Sequence, residues 1–198
     1  MSQMKEKLRT LMTDLDSRKD EILTILDNER AVEKYCRLQQ ELRTSDVSGA
    51  PGAEFRRRFK GFYRVRRGQM FCDTYFALLE REKMNTALEF SDVLSEVSGD
   101  KVEASFASKL VASVRPDLPV WDSKVMNNIG ISTTSRPGTR SERMQTTLNR
   151  YRELQIRTTT LLQDERFQEL RRSFDQKFPN TAITDMKVLD FFLWQYRD

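Results

Sequence analysis

The sequence predicts an all-α protein, a multi-helix domain with an N-terminal helical hairpin. Three observations lead there. Apolar residues recur at three- and four-residue steps along most of the chain, the period of a helix with one buried face. No stretch of useful length alternates apolar and polar residues as a half-buried strand does. The periodic stretches are separated by short clusters of Gly, Pro and small polar residues, and none repeats another.

The elements follow in order. Leu8, Leu11, Met12, Leu15, Ile22, Leu23 and Leu26 place one long amphipathic helix over residues 2–27. Val32, Tyr35, Cys36, Leu38 and Leu42 mark a second over 29–43, so the first 44 residues read as a helical hairpin extension. The segment Thr44 to Gly52 carries two glycines and a proline and reads as a loop, the boundary before a helical core domain over 53–198, with a single domain overall as the alternative. Within that core, helices are expected at 53–64 and 68–83, and then from a cap at Asn85 or Thr86 to Val97. After a turn at Ser98-Gly99-Asp100, helix resumes over 101–114. Pro116 and Pro119 break it. A short helix follows at 122–128, then a Ser/Thr/Gly/Pro loop at 131–140, and helices at 141–162, 164–178 and 184–196.

Composition narrows the function classes. With 198 residues, 32% charged and 38% apolar, the chain is long enough to bury a core without disulfides or a structural metal. Cys36 and Cys72 lie in apolar-periodic stretches and read as buried thiols. The N-terminus has no apolar secretory region, and no run approaches the ~20 apolar residues of a membrane helix. A cytoplasmic protein with no membrane partner is expected. Histidine is absent. That excludes Ser-His-Asp and Cys-His catalysis, His-ligated metals and the His-x-Glu deaminase signature. Any catalysis falls to carboxylates, lysines, hydroxyls or backbone donors. No phosphate-binding Gly loop, Cys-x-x-Cys pair or calcium loop occurs, and no cofactor or metal site is expected. Asp14, Asp16 and Asp20 sit among basic residues and read as a solvated face.

Residues 55–67 carry Arg56, Arg57, Arg58, Lys60, Arg64, Arg66 and Arg67, seven basic side chains and no acidic one. A nucleic-acid phosphate backbone is one supplier of the missing counter-charge, and acidic N-terminal helices are another. Phe55, Phe59, Phe62 and Tyr63 are interleaved on one helix face. They read as core, or as platforms on which unpaired bases stack. A second basic stretch runs from Arg136 through Arg140 to Arg143, where a loop enters a helix N-terminus that favours phosphate.

The most distinctive pattern is Ala104-Ser105-Phe106-Ala107-Ser108-Lys109-Leu110 followed by Pro119-Val120-Trp121-Asp122-Ser123-Lys124-Val125. It is a small-residue helix, a proline-marked turn and an aspartate opening a new helix. Over residues 98–130 this resembles the helix-hairpin-helix DNA glycosylases. The resemblance implies that Asp122 is the catalytic carboxylate, with Trp121 and Lys109 in the pocket of an extruded base. The family hairpin carries more glycine than Glu96-Val97-Ser98-Gly99-Asp100. Glu103 and Ala104 stand where bifunctional members place a lysine, so the resemblance implies a monofunctional enzyme. Each residue also has a structural role open to it: Asp122 as a helix N-cap, Lys109 as an exposed helix lysine, Trp121 as a core aromatic.

The expected function is therefore DNA-acting, as a monofunctional base glycosylase. Two alternatives stand beside it. One is a non-catalytic nucleic-acid-binding module. The other is an interaction module that forms a homodimer through its N-terminal helices and leaves an apolar stripe exposed on the first helix.

Overall fold

The computed structural model describes residues 2–134 and 137–197. Among them the regular structure is helical throughout: α1 (Ser2–Ser17), α2 (Lys19–Asn28), α3 (Ala31–Thr44), α4 (Ala53–Tyr63), α5 (Gln69–Glu82), α6 (Phe90–Val97), α7 (Ala104–Val114), α8 (Ser123–Asn128), α9 (Arg140–Leu162), α10 (Glu165–Lys177) and α11 (Asp185–Gln195), with a 3-10 turn at Ala50–Gly52. The all-α expectation holds. No helix among the described residues is long and apolar enough to cross a membrane.

Three boundaries differ from the sequence expectation, each for a local reason. The long helix expected over 2–27 bends at Arg18. There Arg18 leaves helical geometry (φ −109°, ψ 12°), and Ser17 Oγ donates to the Asp14 carbonyl at 2.8 Å. Helical bonding nevertheless continues across the bend, from Arg18 N–H to Asp14 O and from Ile22 N–H to Arg18 O. Asn85 does not cap a helix. Its Oδ1 takes the Ala87 N–H at 3.1 Å to make a turn, and α6 starts only at Phe90. α7 starts at Ala104 rather than at residue 101, because Ser98 Oγ accepts the Glu103 N–H and organises the connection as a loop.

The helices cluster into two units, and the chain crosses between them at 30–31 and at 115–116. This grouping cuts across the 1–44 and 53–198 division expected from sequence. α1 and α2 belong with everything from Pro116 onward, and α3 belongs with α4 to α7.

In the first unit α1 packs on α9 and α10, α2 on α10 and α11, and α11 on α8, α9 and α10. Its core includes Met12, Leu15, Ile22, Leu26, Leu154, Phe167, Phe174 and Phe192, all essentially inaccessible. Burying one such side chain stabilises the fold by roughly 1.5–3 kcal/mol. The α1–α2 stripe expected to face a second subunit (Leu8, Leu11, Met12, Leu15, Ile22, Leu23, Leu26) is buried within the chain. Glu29 and Tyr196 side chains tie the ends of this unit: Gln195 Nε2 donates to Glu29 Oε2 at 2.9 Å, and Tyr196 OH donates to Asp14 Oδ2 at 3.0 Å.

The second unit is built on aromatics. Phe55, Phe59 and Tyr63 of α4 are buried, with Phe59 in edge-to-face contact with Phe76 at 5.4 Å between ring centres. Such pairs contribute ~0.5–1.5 kcal/mol beyond their area. α6 and α7 pack together, as expected of two helices joined by a short connection. Tyr75 OH donates to the Phe106 carbonyl at 3.1 Å and joins α5 to α7. Cys72 is buried and Cys36 half-buried; both are free thiols.

Candidate functional site

Asp122 is positioned by the segment before it. Pro119, Val120 and Trp121 are anchored in the first unit's interior, where Tyr151 OH donates to the Pro119 carbonyl at 3.1 Å. The chain then emerges, and Asp122 stands half-buried with extended backbone (φ −116°, ψ 142°) at the N-cap of α8. Its Oδ1 accepts the Lys124 N–H at 2.9 Å, and its carbonyl accepts the Met126 N–H at 2.8 Å. The bond to Lys124 satisfies one of the orphan donors at a helix start. Oδ2 has no hydrogen-bond partner among the described residues. One carboxylate oxygen is thus fixed and the other is open. Lys124 extends its ammonium over the Trp194 ring of α11, 4.9 Å from the ring centre.

Trp121 is only 8% exposed and serves as core, which leaves its ring faces against protein. Lys109 is also 8% exposed, not the surface lysine its helix position allows, and its ammonium lies 5.6 Å from the Phe106 ring centre. Lys109 belongs to the second unit, whereas Trp121 and Asp122 belong to the first.

The basic segment at 55–67 finds much of its counter-charge inside its own unit. Arg58 reaches Glu41 of α3 through two bonds, at 2.8 and 3.1 Å, and Glu54 at 2.6 Å. Arg57 pairs with Glu54 and Arg67 with Glu103, and Arg67 also lies over the Phe71 and Phe106 rings. Arg56 donates Nη1 to the carbonyls of Val47, Ser48 and Gly49, so it braces the 44–52 loop. The side-chain bond from Arg57, with Arg58 and Arg37 close by, pulls the Glu54 carboxyl down to about 2. Phe55, Phe59 and Tyr63 are buried and so offer no face to a base; Phe62 is half-buried. Lys60 makes no described ion pair and is half-buried; Arg66 is exposed, and Arg64 closes α4 with a left-handed backbone (φ 52°).

In the second basic stretch Arg136 lies outside the described residues, and Arg140 is exposed at the first turn of α9. Arg143, the last arginine of that stretch, acts here together with two that the sequence expectation did not include, Arg150 and Arg157. Arg143, Arg150 and Arg157 of α9 each donate to a main-chain carbonyl of the preceding loop: Gly138 at 2.6 Å, Thr134 at 2.9 Å and Ile129 at 2.5 Å. Loop and helix run antiparallel, clasped at three levels. The signal was present as a seven-residue spacing of arginines, which keeps them on one side of a helix.

No protein-family model, curated protein or solved structure matches the chain.

Proposed function

We propose that the chain acts on DNA as a monofunctional, glycosylase-like enzyme with Asp122 as its working carboxylate. The carrying observation is the fixed and half-open Asp122: Oδ1 is held by the Lys124 N–H and Oδ2 is unpartnered among the described residues. In this reading an extruded nucleotide places its sugar C1′ before Oδ2. As the C1′–N bond breaks, the bonding pair leaves with the base, and the carboxylate stabilises the positive charge developing on the sugar. A water oxygen bonds C1′. Its proton passes to Asp122 and on to the departing base nitrogen, so the products are a free base and an abasic sugar. The chemistry needs no histidine, in keeping with a chain that has none.

The order of elements supports the reading. α6, a short connection, α7, a proline turn and an aspartate opening α8 follow one another as in the helix-hairpin-helix glycosylases. Glu103 and Ala104 hold the positions of the lyase lysine, so the reaction stops at the abasic site.

A second reading, a non-catalytic nucleic-acid-binding module, is favoured by the ordinary capping geometry of Asp122 and by the burial of Trp121. One experiment separates the two. Wild-type protein and Asp122→Asn are incubated with duplex and single-stranded DNA carrying damaged and modified bases, and abasic sites are revealed by alkaline cleavage. Asparagine keeps the cap and loses the charge. Release by wild type, lost about 100-fold or more in the variant, is expected. Equal release by both, or none from any substrate, rejects a catalytic Asp122.

A further inference from the structure

The exposed apolar stripe expected on the first helix lies instead on α5. Among the described residues the large apolar side chains open to solvent are Met70, Met84 and Ile156, at 84%, 75% and 60% exposure. Met70 belongs to α5 and Met84 to the turn that ends it, and Ala77, also exposed, lies midway between them. The three follow at seven-residue intervals, two helical turns each, so they share one side of the helix. Lys83, just before Met84, keeps helical backbone (φ −58°, ψ −18°), and the stripe continues past the last residue of α5. The other side of α5 buries Cys72, Tyr75, Phe76, Leu78 and Leu79 in the second unit.

The charges on the open side are arranged about the same centre. Asp73 stands four residues before Ala77 and Arg81 four residues after it, and both are exposed. Asp73 Oδ1 accepts Gln69 Nε2 at 2.6 Å, and the carboxylate meets no cation among the described residues. Arg81 gives Nε to Glu82 at 2.7 Å and Nη2 to Glu96 at 2.6 Å. Its side chain is still 56% exposed, and Nη1 makes no bond among the described residues. Glu80, three residues after Ala77, is already held by Lys83 at 2.6 Å and by the Val47 N–H at 2.8 Å.

We propose that α5 is the contact of a homodimer in which two copies of the helix lie antiparallel, with Ala77 on the two-fold axis. Such an axis pairs residues that stand equally far before and after Ala77, and every contact occurs twice. Met70 of each copy meets Met84 of the other, two flexible side chains that adapt to one another. Asp73 of each copy meets Arg81 of the other, which brings the carboxylate its missing cation and gives Nη1 an acceptor. Ala77 keeps the crossing point small, so the helix axes can approach closely. A second copy suits this face better than an unrelated partner, because the face complements its own charges. Parallel helices would set Asp73 against Asp73 and Arg81 against Arg81. A membrane surface asks for basic residues beside the apolar ones, and here an unpaired carboxylate stands among them. One helix face covers less than the ~800 Å² per partner of a standard interface, so the dimer is reversible, with a dissociation constant of roughly 1–100 μM. It is independent of the role of Asp122.

The test uses the full chain in sedimentation velocity from about 5 to 300 μM, which spans the expected dissociation constant. Wild type is expected to pass from monomer to dimer over this range. Asp73→Arg sets arginine against arginine across the axis and is expected to weaken the dimer about tenfold or more. Asp20→Arg, the same change of charge at an exposed position of α2, is expected to stay within about twofold. Cross-linking under mild oxidation then reads the register, with wild type as the control, since its Cys72 is buried and its Cys36 half-buried. A disulfide needs Cα atoms about 5–6 Å apart. Ala77→Cys is therefore expected to link to itself. Met70→Cys alone is not, because fourteen residues of helix put its two copies roughly 21 Å apart in the antiparallel pair. An equimolar mixture of Met70→Cys and Met84→Cys is expected to link one to the other. A monomer throughout the concentration range overturns the proposal and leaves the face to a different protein. A dimer as tight in Asp73→Arg as in wild type places the contact elsewhere on the chain, and self-linking of Met70→Cys overturns the antiparallel arrangement.

Discussion

Asp122 Oδ1 accepts the main-chain N–H of Lys124 at 2.9 Å, and this bond makes the candidate carboxylate a structural residue as well. Removing the cap by Asp122→Ala is expected to cost ~0.5–2 kcal/mol, while Asp122→Asn costs little. Denaturant unfolding of the three proteins checks the order. If Asn destabilises as much as Ala, the charge of Asp122, and not its capping oxygen, holds the start of α8.

Glu54 is the carboxylate on which Arg57 and Arg58 converge, and its pKa is drawn down from the usual 4.5 to about 2. A depressed folded-state pKa contributes stability that is complete above the unfolded value and is lost as pH falls through the folded one. The window is therefore pH 4.5 down to about 2. Glu54→Gln is expected to flatten the stability profile there and to leave its slope unchanged between about pH 6 and 8. Because the group is exposed, raising the salt concentration should shrink the effect. Thermal melts across this range, with and without added salt, provide the check; an unchanged acid slope in Glu54→Gln assigns the loss to other carboxylates.

Helices were legible in the sequence because burial writes itself as a period: the stripe from Leu8 to Leu26 and the face formed by Phe55, Phe59 and Tyr63 are buried where spacing placed them. The bend at Arg18 was not legible, because the hydrogen bonds that continue across it keep the apolar phase intact. The acidic N-terminal helices were legible as one source of counter-charge for the basic segment, and Glu41 bears that out for Arg58, but the individual pairs were not legible. Glu41 and Glu103 come from α3 and from the α6–α7 connection, and only the fold brings them to Arg58 and Arg67. Asp122 was legible as a cap and as a candidate in the same residues, since one geometry serves both. The loop carbonyls that hold Arg143, Arg150 and Arg157 had no signature at all, because every residue carries the same carbonyl.

Arg58 and Glu41 form the one two-point pair that links α4 to α3 in the second unit among the ion pairs described, and each side chain is mostly covered, at 22% and 20% exposure. Two parallel N–H···O bonds demand the planar guanidinium fork. Arg58→Lys is therefore expected to recover less than half of the stability lost in Arg58→Met. A double-mutant cycle with Glu41→Gln should give a coupling of about 1 kcal/mol, the upper end of the range for surface pairs, because this one is mostly covered. Equal stability of Lys and Arg at position 58 would show that charge alone, without fork geometry, joins these helices.

Arg150 has a measurable role in the clasp. Its Nη2 donates to the Thr134 carbonyl at 2.9 Å, sixteen residues back in the chain, and so holds the loop alongside α9. Arg150→Met keeps much of the aliphatic stem and removes the donor. A single neutral-acceptor bond contributes roughly 1 kcal/mol, so the global melting temperature should fall by only a few degrees. Local opening is governed by the contacts of the segment itself, and amide exchange at Ile131 to Thr134 is expected to quicken about fivefold or more while exchange in α11 is unchanged. Arg150→Lys, which retains a donor and the charge, should fall between the two. Comparable acceleration in α11 would mean that Arg150 supports the whole unit, whereas acceleration confined to the loop assigns it to the clasp.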